Sequence, residues 1–451
     1  MHGRILPVLA AALLAVAVQA TPAQRSESRP QAPSPRVPAT QDALFSPTAV
    51  WTAHLRFTPE QWAAIRPING AGGGSASSTD WLQGAEGHRN GWGVVNGVEF
   101  EYVHADLEFA GRTFRDVAVR YKGNGTYLSG RQAGKISFKV DLNKYVKGQK
   151  LLDLSTLNFH NMIADPGLMN ETLAYRLYRD AGVHASRTAY VKVSVTIGNQ
   201  PARNHGLFAL VENVDTNFIQ ARLKLQTGAI LKPSTRNPFM DRGTAWAKYN
   251  QTYDPKTDLT EAERQRVIEF CQFVSRADDR DFAARIGSYV DIEAFARYMA
   301  VVAWLSNPDS ILERGQNYYV YLHPQTRKLY FMPWDQDHSF GNFLRTSLAP
   351  YETSNIHVPW VRGVRFLERM NAVPAYRTAY LARMREFSTT LFAPTRFTAQ
   401  VAELAPVVRA GLQNEPARIS AFERGVAGQA GILRFAPART RSVIEQLGRT
   451  Q

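Results

Sequence analysis

The sequence predicts an α+β protein of two lobes, β-rich over residues 44–214 and helix-rich over residues 215–451. Short alternating apolar runs, separated by glycine turns, dominate the first range, whereas the second contains longer stretches with helical periodicity. A β-hairpin between Asn317 and Asp335 interrupts the helical half. The length of 451 residues exceeds that of one typical domain, which also favours two lobes.

The first 43 residues are predicted to lie outside the folded part. Residues 1–20 contain Arg4 and a short apolar run and end in Val18-Gln19-Ala20, the pattern of a secretory signal peptide. Residues 21–43 are rich in Pro, Ser, Gln and Ala without apolar periodicity, which predicts a disordered linker. Because no apolar stretch is long enough to span a bilayer, we expect a secreted or periplasmic protein without a transmembrane segment after cleavage.

Charge and cysteine content narrow the possible functions. The net charge of +14 favours anionic partners such as nucleotides, phosphorylated polymers or acidic proteins. Basic residues are spread along the chain without a nucleic-acid-binding motif, so we expect no nucleic-acid partner. The single cysteine, Cys271, excludes an intramolecular disulfide, and its apolar helical neighbours predict a buried, inert thiol.

The individual elements follow from local patterns. An alternating strand at 50–57 precedes a helix capped near Thr58, and Asp165-Pro166 begins a helix that Gly182 ends. Further strands of the first lobe are predicted at 100–109, 113–121, 135–140, 189–197 and 205–211. Helices of the second lobe are predicted at 217–224, 260–277, 291–307, 362–370, 374–391 and 394–412.

Acidic and amide side chains cluster around the predicted hairpin. Asn317 opens its first strand, Asp335 and Asp337 follow its second strand, and Asp309 lies eight residues before Asn317. Carboxylates and an amide at the ends of neighbouring strands are hard oxygen ligands, typical of Mg²⁺ or Mn²⁺ sites. A plain hairpin with acidic turn ends explains the same residues equally well.

Basic side chains form a second group in the first lobe. Arg120 and Lys122 precede a glycine turn whose backbone N–H groups could approach phosphates. The residues on either side of Lys139 in its strand point to one face, and Lys139 points to the other. Its side chain therefore extends either to solvent or into a cleft. Glu171, early in the following helix, either orients that lysine or is a solvated charge near a helix N-terminus.

Taken together, these motifs resemble the spore-coat protein H (CotH) kinase family, which consists of secreted atypical kinases. The motifs that carry the resemblance are, in chain order, Arg120-Tyr-Lys-Gly-Asn-Gly, Ile136-Ser-Phe-Lys-Val, Leu157-Asn-Phe-His-Asn, Asn170-Glu-Thr-Leu-Ala-Tyr-Arg-Leu, Gly206-Leu-Phe-Ala-Leu-Val-Glu, Asn317-Tyr-Tyr-Val-Tyr and Pro333-Trp-Asp-Gln-Asp-His-Ser-Phe-Gly. Single motifs are weak, but the ordered set spans roughly residues 50–400.

The resemblance implies a bilobal, atypical protein-kinase-like fold and phosphate transfer from ATP, with Mg²⁺ or Mn²⁺, to Ser or Thr of an extracytoplasmic protein. Lys139 would contact the nucleotide phosphates and pair with Glu171, while Glu212 would lie near the adenine. The resemblance, together with the basic residues before the glycine turn, assigns three groups of residues. The catalytic residues would be Asp309, Lys139 and Glu171, and the nucleotide-binding residues Lys139, Arg120, Lys122 and Glu212. The metal-binding residues would be Asn317, Asp335 and Asp337.

Three features depart from the common protein-kinase pattern, and two other functions stay open. The chain lacks a His-Arg-Asp motif and a Gly-x-Gly-x-x-Gly loop, and the gap between Asp309 and Asn317 is longer than in common protein kinases. One alternative is a catalytically silent structural or assembly protein that keeps the fold and binds nucleotide. Another is a metal-dependent module for anionic polymers that uses Asp335 and Asp337.

We expect the mature protein to begin near Thr21, or alternatively at Ala23, because Val18 and Ala20 occupy the small-residue positions of a cleavage site. N-terminal sequencing of protein recovered outside the cytoplasm measures this directly. An intact Met1 on the recovered soluble protein contradicts the predicted signal peptide.

Overall fold

The computed structural model describes residues 37–67, 98–123, 125–235, 237–342, 348–413 and 415–449. The predicted signal peptide and most of the predicted linker lie outside these ranges. The last residues of that linker fall in a short helix, α1 (Gln41–Leu44), whose N-cap Thr40 accepts a hydrogen bond from the Ala43 backbone. Leu44 is buried, so the folded part begins slightly before residue 44.

A closed seven-stranded barrel forms the first half, in the order β1-β2-β3-β4-β5-β7-β6. Neighbouring strands are antiparallel, except that β1 closes the barrel in parallel with β6. The strands are β1 (Val50–Phe57), β2 (Val103–Phe109), β3 (Arg112–Lys122), β4 (Ser137–Asp141), β5 (Thr156–His160), β6 (Thr188–Ile197) and β7 (Arg203–Val211). Helices α2 (Pro59–Ala64) and α3 (Gly125–Ala133) lie between strands of the barrel.

Strand alternation separates the inside of the barrel from its outside. Phe138 and Val140 of β4 and Phe159 of β5 belong to the inner core, whereas Lys139 between the two β4 residues points outward. On β6 and β7 the outer face is also apolar. Because side chains of a strand point alternately to opposite faces, one barrel supplies an inner core and an outer packing surface.

Helix α4 (Asn170–Asp180) packs on the outer surface of the barrel. Its Leu173 and Tyr175 share one buried cluster with Tyr190 of β6 and Leu207 of β7, and this cluster continues through the helical half. The helix begins where the Asp165 carboxylate accepts a hydrogen bond of 2.7 Å from the Asn170 backbone N–H. α4 is thus fixed by both the barrel and the helices that follow.

The second half is helical and contains a small antiparallel sheet in the order β10-β9-β8. The sheet consists of β8 (Ala229–Leu231), β9 (Tyr318–Leu322) and β10 (Leu329–Pro333). The helices are α5 (Thr216–Leu223), α6 (Ala247–Tyr253), α7 (Glu261–Arg276), α8 (Asp279–Arg285), α9 (Ile292–Leu305), α10 (Ala349–Glu352), α11 (Arg365–Ala372), α12 (Pro374–Thr389), α13 (Pro394–Gly411), α14 (Pro416–Ala427) and α15 (Ile432–Gly448).

The predicted α+β class, with a β-rich N-terminal region and a helical C-terminal region, is confirmed. The sequence did not predict α3, β5 or the last two helices, because the glycine turn and the short polar strand carry weak periodicity. Cys271 is buried in α7, as predicted, and burial raises the pKa of its thiol to about 12. No helix in the described ranges combines the length and apolar character that a bilayer span requires.

A fully buried arginine, Arg439 of α15, fixes the C-terminal end of α9. Its guanidinium donates hydrogen bonds to the backbone carbonyls of Ala303 at 2.9 Å and Ser354 at 2.6 Å. Ser306, which caps α9 in the left-handed conformation, donates to the Tyr351 carbonyl at 2.9 Å. The loop that follows α9 and carries Asp309 therefore starts from a fixed point.

Candidate active site

The β9–β10 hairpin delivers Asn317 and Asp335 side by side. Pro333 pairs with Tyr318 across the sheet, and the Trp334 N–H donates to the Asn317 carbonyl at 2.9 Å. Both Asn317 and Asp335 adopt left-handed backbone conformations, with φ of 60° and 53°. Such conformations cost energy in residues other than glycine and are concentrated at functional sites.

The loop after α9 brings Asp309 into contact with Asn317. The Asn317 amide donates hydrogen bonds of 2.9 Å to the Asp309 carbonyl and to its Oδ2, while Gln316 donates to Oδ1 at 2.7 Å. Burial raises the pKa of Asp309, whereas nearby His338 opposes this shift. The carboxylate is thus held in one orientation, with both oxygens accepting hydrogen bonds.

Asp337 is a buried residue whose carboxylate has no hydrogen bond or ion pair among the described residues. The residue is only 5% exposed. Its backbone carbonyl accepts hydrogen bonds from the side-chain amides of Asn170 at 2.8 Å and Asn342 at 3.2 Å. Within the described ranges, no hydrogen bond or ion pair reaches the carboxylate. Burial, followed by repulsion from Asp335 and Glu171, raises the pKa of Asp337 well above its usual range.

Glu171 pairs with His160, not with Lys139. The Nδ1 of His160 lies 2.8 Å and 2.9 Å from the two Glu171 oxygens, and the Nζ of Lys122 contacts the other ring nitrogen. His160 Nδ1 also lies 4.0 Å from the Asp335 carboxylate. The predicted ion pair between Lys139 and Glu171 does not form among the described residues; Lys122 is the lysine beside this cluster.

The strand register explains why Lys139 misses Glu171. Lys139 pairs with Arg120 on one side and with Asn158 of β5 on the other, whereas His160 lies two residues further along β5. Two residues on a strand span about 7 Å, so Lys139 lies one step away from the end of the barrel where Glu171 enters. Burial, and then the Arg120 charge, lowers the pKa of Lys139.

Four basic side chains line this outer face of the barrel and the adjoining hairpin. Lys122 lies 4.9 Å from the centre of the Trp334 ring, and Lys232, which follows β8, lies 5.8 Å from the same ring. Arg120 lies over the Tyr102 ring and donates a hydrogen bond to the Tyr121 carbonyl. With Lys139, these residues give the face a cationic character next to the acidic cluster.

Burial and neighbouring charges shift the pKa values of the ionisable groups in the cluster. Burial lowers the pKa of Lys122 to about 8, although Asp335 and Glu171 oppose this shift. Burial and the Asp335 charge raise the pKa of Glu171 to about 8. Burial alone would raise the pKa of Asp335, but His160, Lys122 and Lys232 hold it below its usual range.

Glu212 lies in a separate ionic cluster at the end of β7. Its buried carboxylate forms ion pairs with Arg187 and Arg222, and the Arg187 backbone N–H donates a further bond of 2.9 Å. Arg187 also bonds Asp42 of α1 at 2.5 Å. Because both oxygens are occupied, a nucleotide-binding role for this residue depends on its backbone rather than on its carboxylate.

Sequence reasoning missed several residues that build the site. His160 bridges Lys122 and Glu171, Lys232 adds a fourth cation, and Asn170 and Tyr175 of α4 hold the segment after β10. His160 lies two residues after Asn158, the β5 partner of Lys139, and this pairing becomes visible only with the strand register. Lys232 follows a three-residue strand without a clear pattern.

The donor set fits a divalent cation. One ligand atom each from His160, Glu171 and Asp335 lies within 4.8 Å of the others, and Asp337 adds an unpartnered buried carboxylate nearby. Several carboxylates buried together repel one another unless a cation or protons offset their charge. The site can therefore hold a metal ion and place it beside a cationic surface suited to phosphates.

The sequence matches a protein family over most of its length. The profile described as "CotH kinase protein" covers residues 119–443, which is more than half of the chain. The chain therefore belongs to the CotH kinase family, in agreement with the resemblance drawn from its motifs.

A curated relative is the "Inner spore coat protein H" of Bacillus subtilis (strain 168), which is 22% identical over 231 residues. The match covers 50% of this chain and 59% of that protein, so the chain spans about three fifths of the length of its relative. Among solved structures, a Shewanella oneidensis MR-1 complex of HipA, HipB and operator DNA matches with 12% identity and a TM-score of 0.26. That match covers 67% of this chain and 60% of the other, and a score of this size does not define a shared fold.

We expect Glu212→Gln to lower the free energy of unfolding by about 3 kcal/mol, because it leaves Arg187 and Arg222 without their shared buried carboxylate. Denaturant titration measures the change. Glu423→Gln is the control, since its pair with Arg409 is nearly half exposed and contributes at most about 1 kcal/mol. Equal destabilisation by the two substitutions contradicts the buried ionic cluster.

The metal-free protein should lose stability relative to Glu171→Gln as the pH rises from about 5 to about 8. The Glu171 carboxyl has a raised pKa in the folded state, so the folded protein holds a proton that the unfolded chain releases near pH 4.5. Its contribution is complete below that pH and is lost as the pH approaches 8, with a slope of at most about 1.4 kcal/mol per pH unit. Denaturation in a chelator at several pH values tests this; a constant difference between the two proteins contradicts it.

Proposed function

We propose that this protein is an exported kinase that transfers the terminal phosphate of ATP to Ser or Thr hydroxyls of an extracytoplasmic protein. In this proposal the barrel and the helical half act as the two lobes of an atypical protein-kinase-like fold. Membership of the CotH kinase family supports the reaction class. The observation that carries the proposal is the gathering of three buried acids, Asp335, Asp337 and Glu171, of which the Asp337 carboxylate receives no hydrogen bond or ion pair from the described residues.

The metal ligands of this proposal are Asn317, Asp335 and Asp337. A buried carboxylate that lacks any partner is costly, so its retention favours a group that is present only when the site is loaded. Mg²⁺ or Mn²⁺, when bound there with ATP, would neutralise part of the phosphate charge. Oxygen ligands of this kind are the ones that both ions prefer.

The nucleotide phosphates would lie against the cationic outer face of the barrel. Lys122 and Lys139 lie on the neighbouring strands β3 and β4. Arg120 pairs with Lys139 across these strands and lies over the Tyr102 ring. Burial lowers the pKa values of both lysines despite nearby carboxylates, so an added anion such as polyphosphate would favour their charged forms. Glu212 would contribute through its backbone at the end of β7.

Asp309 would orient the acceptor. Its carboxylate is held by Gln316 and Asn317 and retains acceptor capacity for a hydroxyl proton. In the transfer, a bond forms between the acceptor oxygen and the terminal phosphorus while the bond from that phosphorus to the bridging oxygen breaks. The hydroxyl proton passes to Asp309, and ADP leaves with the electron pair of the broken bond.

The location and the acceptor follow from weaker observations. The signal-peptide pattern of residues 1–20 and the spore-coat name of the Bacillus relative both favour a place outside the cytoplasm. The same name favours the alternative of a structural or assembly protein that keeps the fold without catalysis. The absence of a direct ion pair between Lys139 and Glu171 is the structural feature that fits this alternative.

We expect Asp335→Asn to reduce transfer of labelled phosphate from ATP by at least about 100-fold, because it removes the charge at the centre of the metal site. The assay uses γ-labelled ATP, Mn²⁺ and dephosphorylated casein as a mixed Ser and Thr acceptor. Glu423→Gln, a surface substitution, should keep wild-type activity. Circular dichroism and the melting temperature establish that both variants are folded.

The outcomes of this assay separate the two functions. Transfer that depends on Asp335 supports the kinase. Binding of ATP by the wild type without any transfer supports the silent structural protein, and full activity of a folded Asp335→Asn protein removes the metal site from the proposal.

Lys122 and Glu171 should act as one unit, whereas Lys139 should act independently. His160 connects Lys122 to Glu171, so the double variant Lys122→Met/Glu171→Gln should lose little more activity than Lys122→Met alone. Lys139→Met and Glu171→Gln should be additive within about 0.5 kcal/mol of activation free energy. The steady-state rates of the wild type and the five single and double variants give two double-mutant cycles, one for each lysine with Glu171. Coupling of Glu171 to Lys139 instead of Lys122 contradicts the observed arrangement.

A further inference from the structure

Three side chains from separate parts of the fold converge beside the hairpin. They are His160 of β5, Glu171 of α4 and Asp335 after β10, and one ligand atom of each lies within 4.8 Å of the others. The side chains of His160 and Glu171 are only 6% and 2% exposed, whereas that of Asp335 keeps 31% exposure. The cluster is thus closed on the barrel side and accessible from the hairpin side.

We propose that these three side chains bind one transition-metal dication, such as Mn²⁺, Co²⁺ or Zn²⁺, in the absence of nucleotide. The site is distinct from the oxygen ligands Asn317 and Asp337, but it rests on the proposed function in sharing Asp335 as a metal ligand. Imidazole suits these ions, whereas Mg²⁺ is bound by oxygen ligands and retains its waters. The histidine therefore selects the class of metal.

The distances require little rearrangement. His160 Nδ1 lies 2.8 Å from Glu171 Oε1 and 4.0 Å from Asp335 Oδ1. Ligand atoms about 2.1 Å from a tetrahedral or octahedral ion lie about 3.0–3.4 Å from one another. The partly exposed Asp335 side chain is the group that has to move closer, since its carboxylate lies 4.0 Å from His160 Nδ1.

The surroundings of the cluster also favour a cation. Asp337, two residues after Asp335, is 5% exposed, and no hydrogen bond or ion pair reaches its carboxylate within the described ranges, although the His338 charge nearby offsets part of its negative charge. A dication at the cluster would offset more of this charge as well as that of its own two carboxylate ligands. An ion on Nδ1 places the ring proton on Nε2, so the Lys122 ammonium that contacts Nε2 has to turn away.

The test uses the full nucleotide-free protein, stripped with a chelator and then titrated with Co²⁺ or loaded with Mn²⁺. We expect one Co²⁺ per chain and, in the electron spin-echo spectrum of bound Mn²⁺, the ¹⁴N modulation of a coordinated imidazole. His160→Asn should abolish the ¹⁴N modulation and weaken Co²⁺ binding at least about tenfold. His184→Asn is the matched control, because this half-buried histidine follows α4 and lies outside the cluster.

The spectrum of the wild type decides the question without any variant. Bound Mn²⁺ that lacks ¹⁴N modulation, or modulation that persists in a folded His160→Asn protein, overturns the proposal. The metal site and the kinase activity are tested independently. Phosphate transfer by a protein whose bound Mn²⁺ shows no ¹⁴N modulation refutes the metal site alone. Nitrogen-coupled metal in a protein that transfers no phosphate refutes the kinase and leaves this site intact.

Discussion

The structure depends on burying several carboxylates together between α4 and the β9–β10 hairpin. Glu171, Asp335 and Asp337 cannot all be charged and unpaired in a low-dielectric interior, because each uncompensated charge costs several kcal/mol. The protein offsets part of this cost with Lys122 and His160, while the Asp337 carboxylate receives no hydrogen bond or ion pair from the described residues. A cation bound in this region would offset the remaining negative charge.

The scaffold fixes the backbone of this region while leaving its carboxylates available. Asn170 donates to the carbonyls of Asp337 and Ser339, and the Tyr175 hydroxyl accepts from the Asp335 N–H at 3.0 Å. Arg439 likewise fixes the backbone at the C-terminal end of α9, where its guanidinium donates hydrogen bonds to carbonyls and to no carboxylate of the described residues. Hydrogen bonds that position a loop through its backbone do not compete with a ligand for the side chains. This division explains how strained residues and unpaired acids persist in an otherwise well-packed core.

The sequence predicted those parts of the site that depend on local order. Asp309 and Asn317 lie eight positions apart in the loop between α9 and β9, where the Asn317 amide donates to the Asp309 carboxylate, and the family match covers the same segment. The pairing of Glu171 could not be predicted, since it depends on the register of three barrel strands and on the step between Lys139 and Lys122. The arginine partners of Glu212 were not predicted either, since Arg187 directly precedes β6 and Arg222 lies in α5, and local patterns do not bring these segments together.

The attachment of α4 to the hairpin has a kinetic consequence. Swinging the barrel away from the helical half would break the two bonds of Asn170 and the Tyr175 contact and would expose part of the shared core, which costs several kcal/mol. Wide opening is therefore expected to be rare, and a ligand of this site would enter through the exposed side of Asp335 without waiting for it. Association should then follow ordinary diffusion, with a rate inversely proportional to solvent viscosity, and should lack the slow phase of a gated cleft.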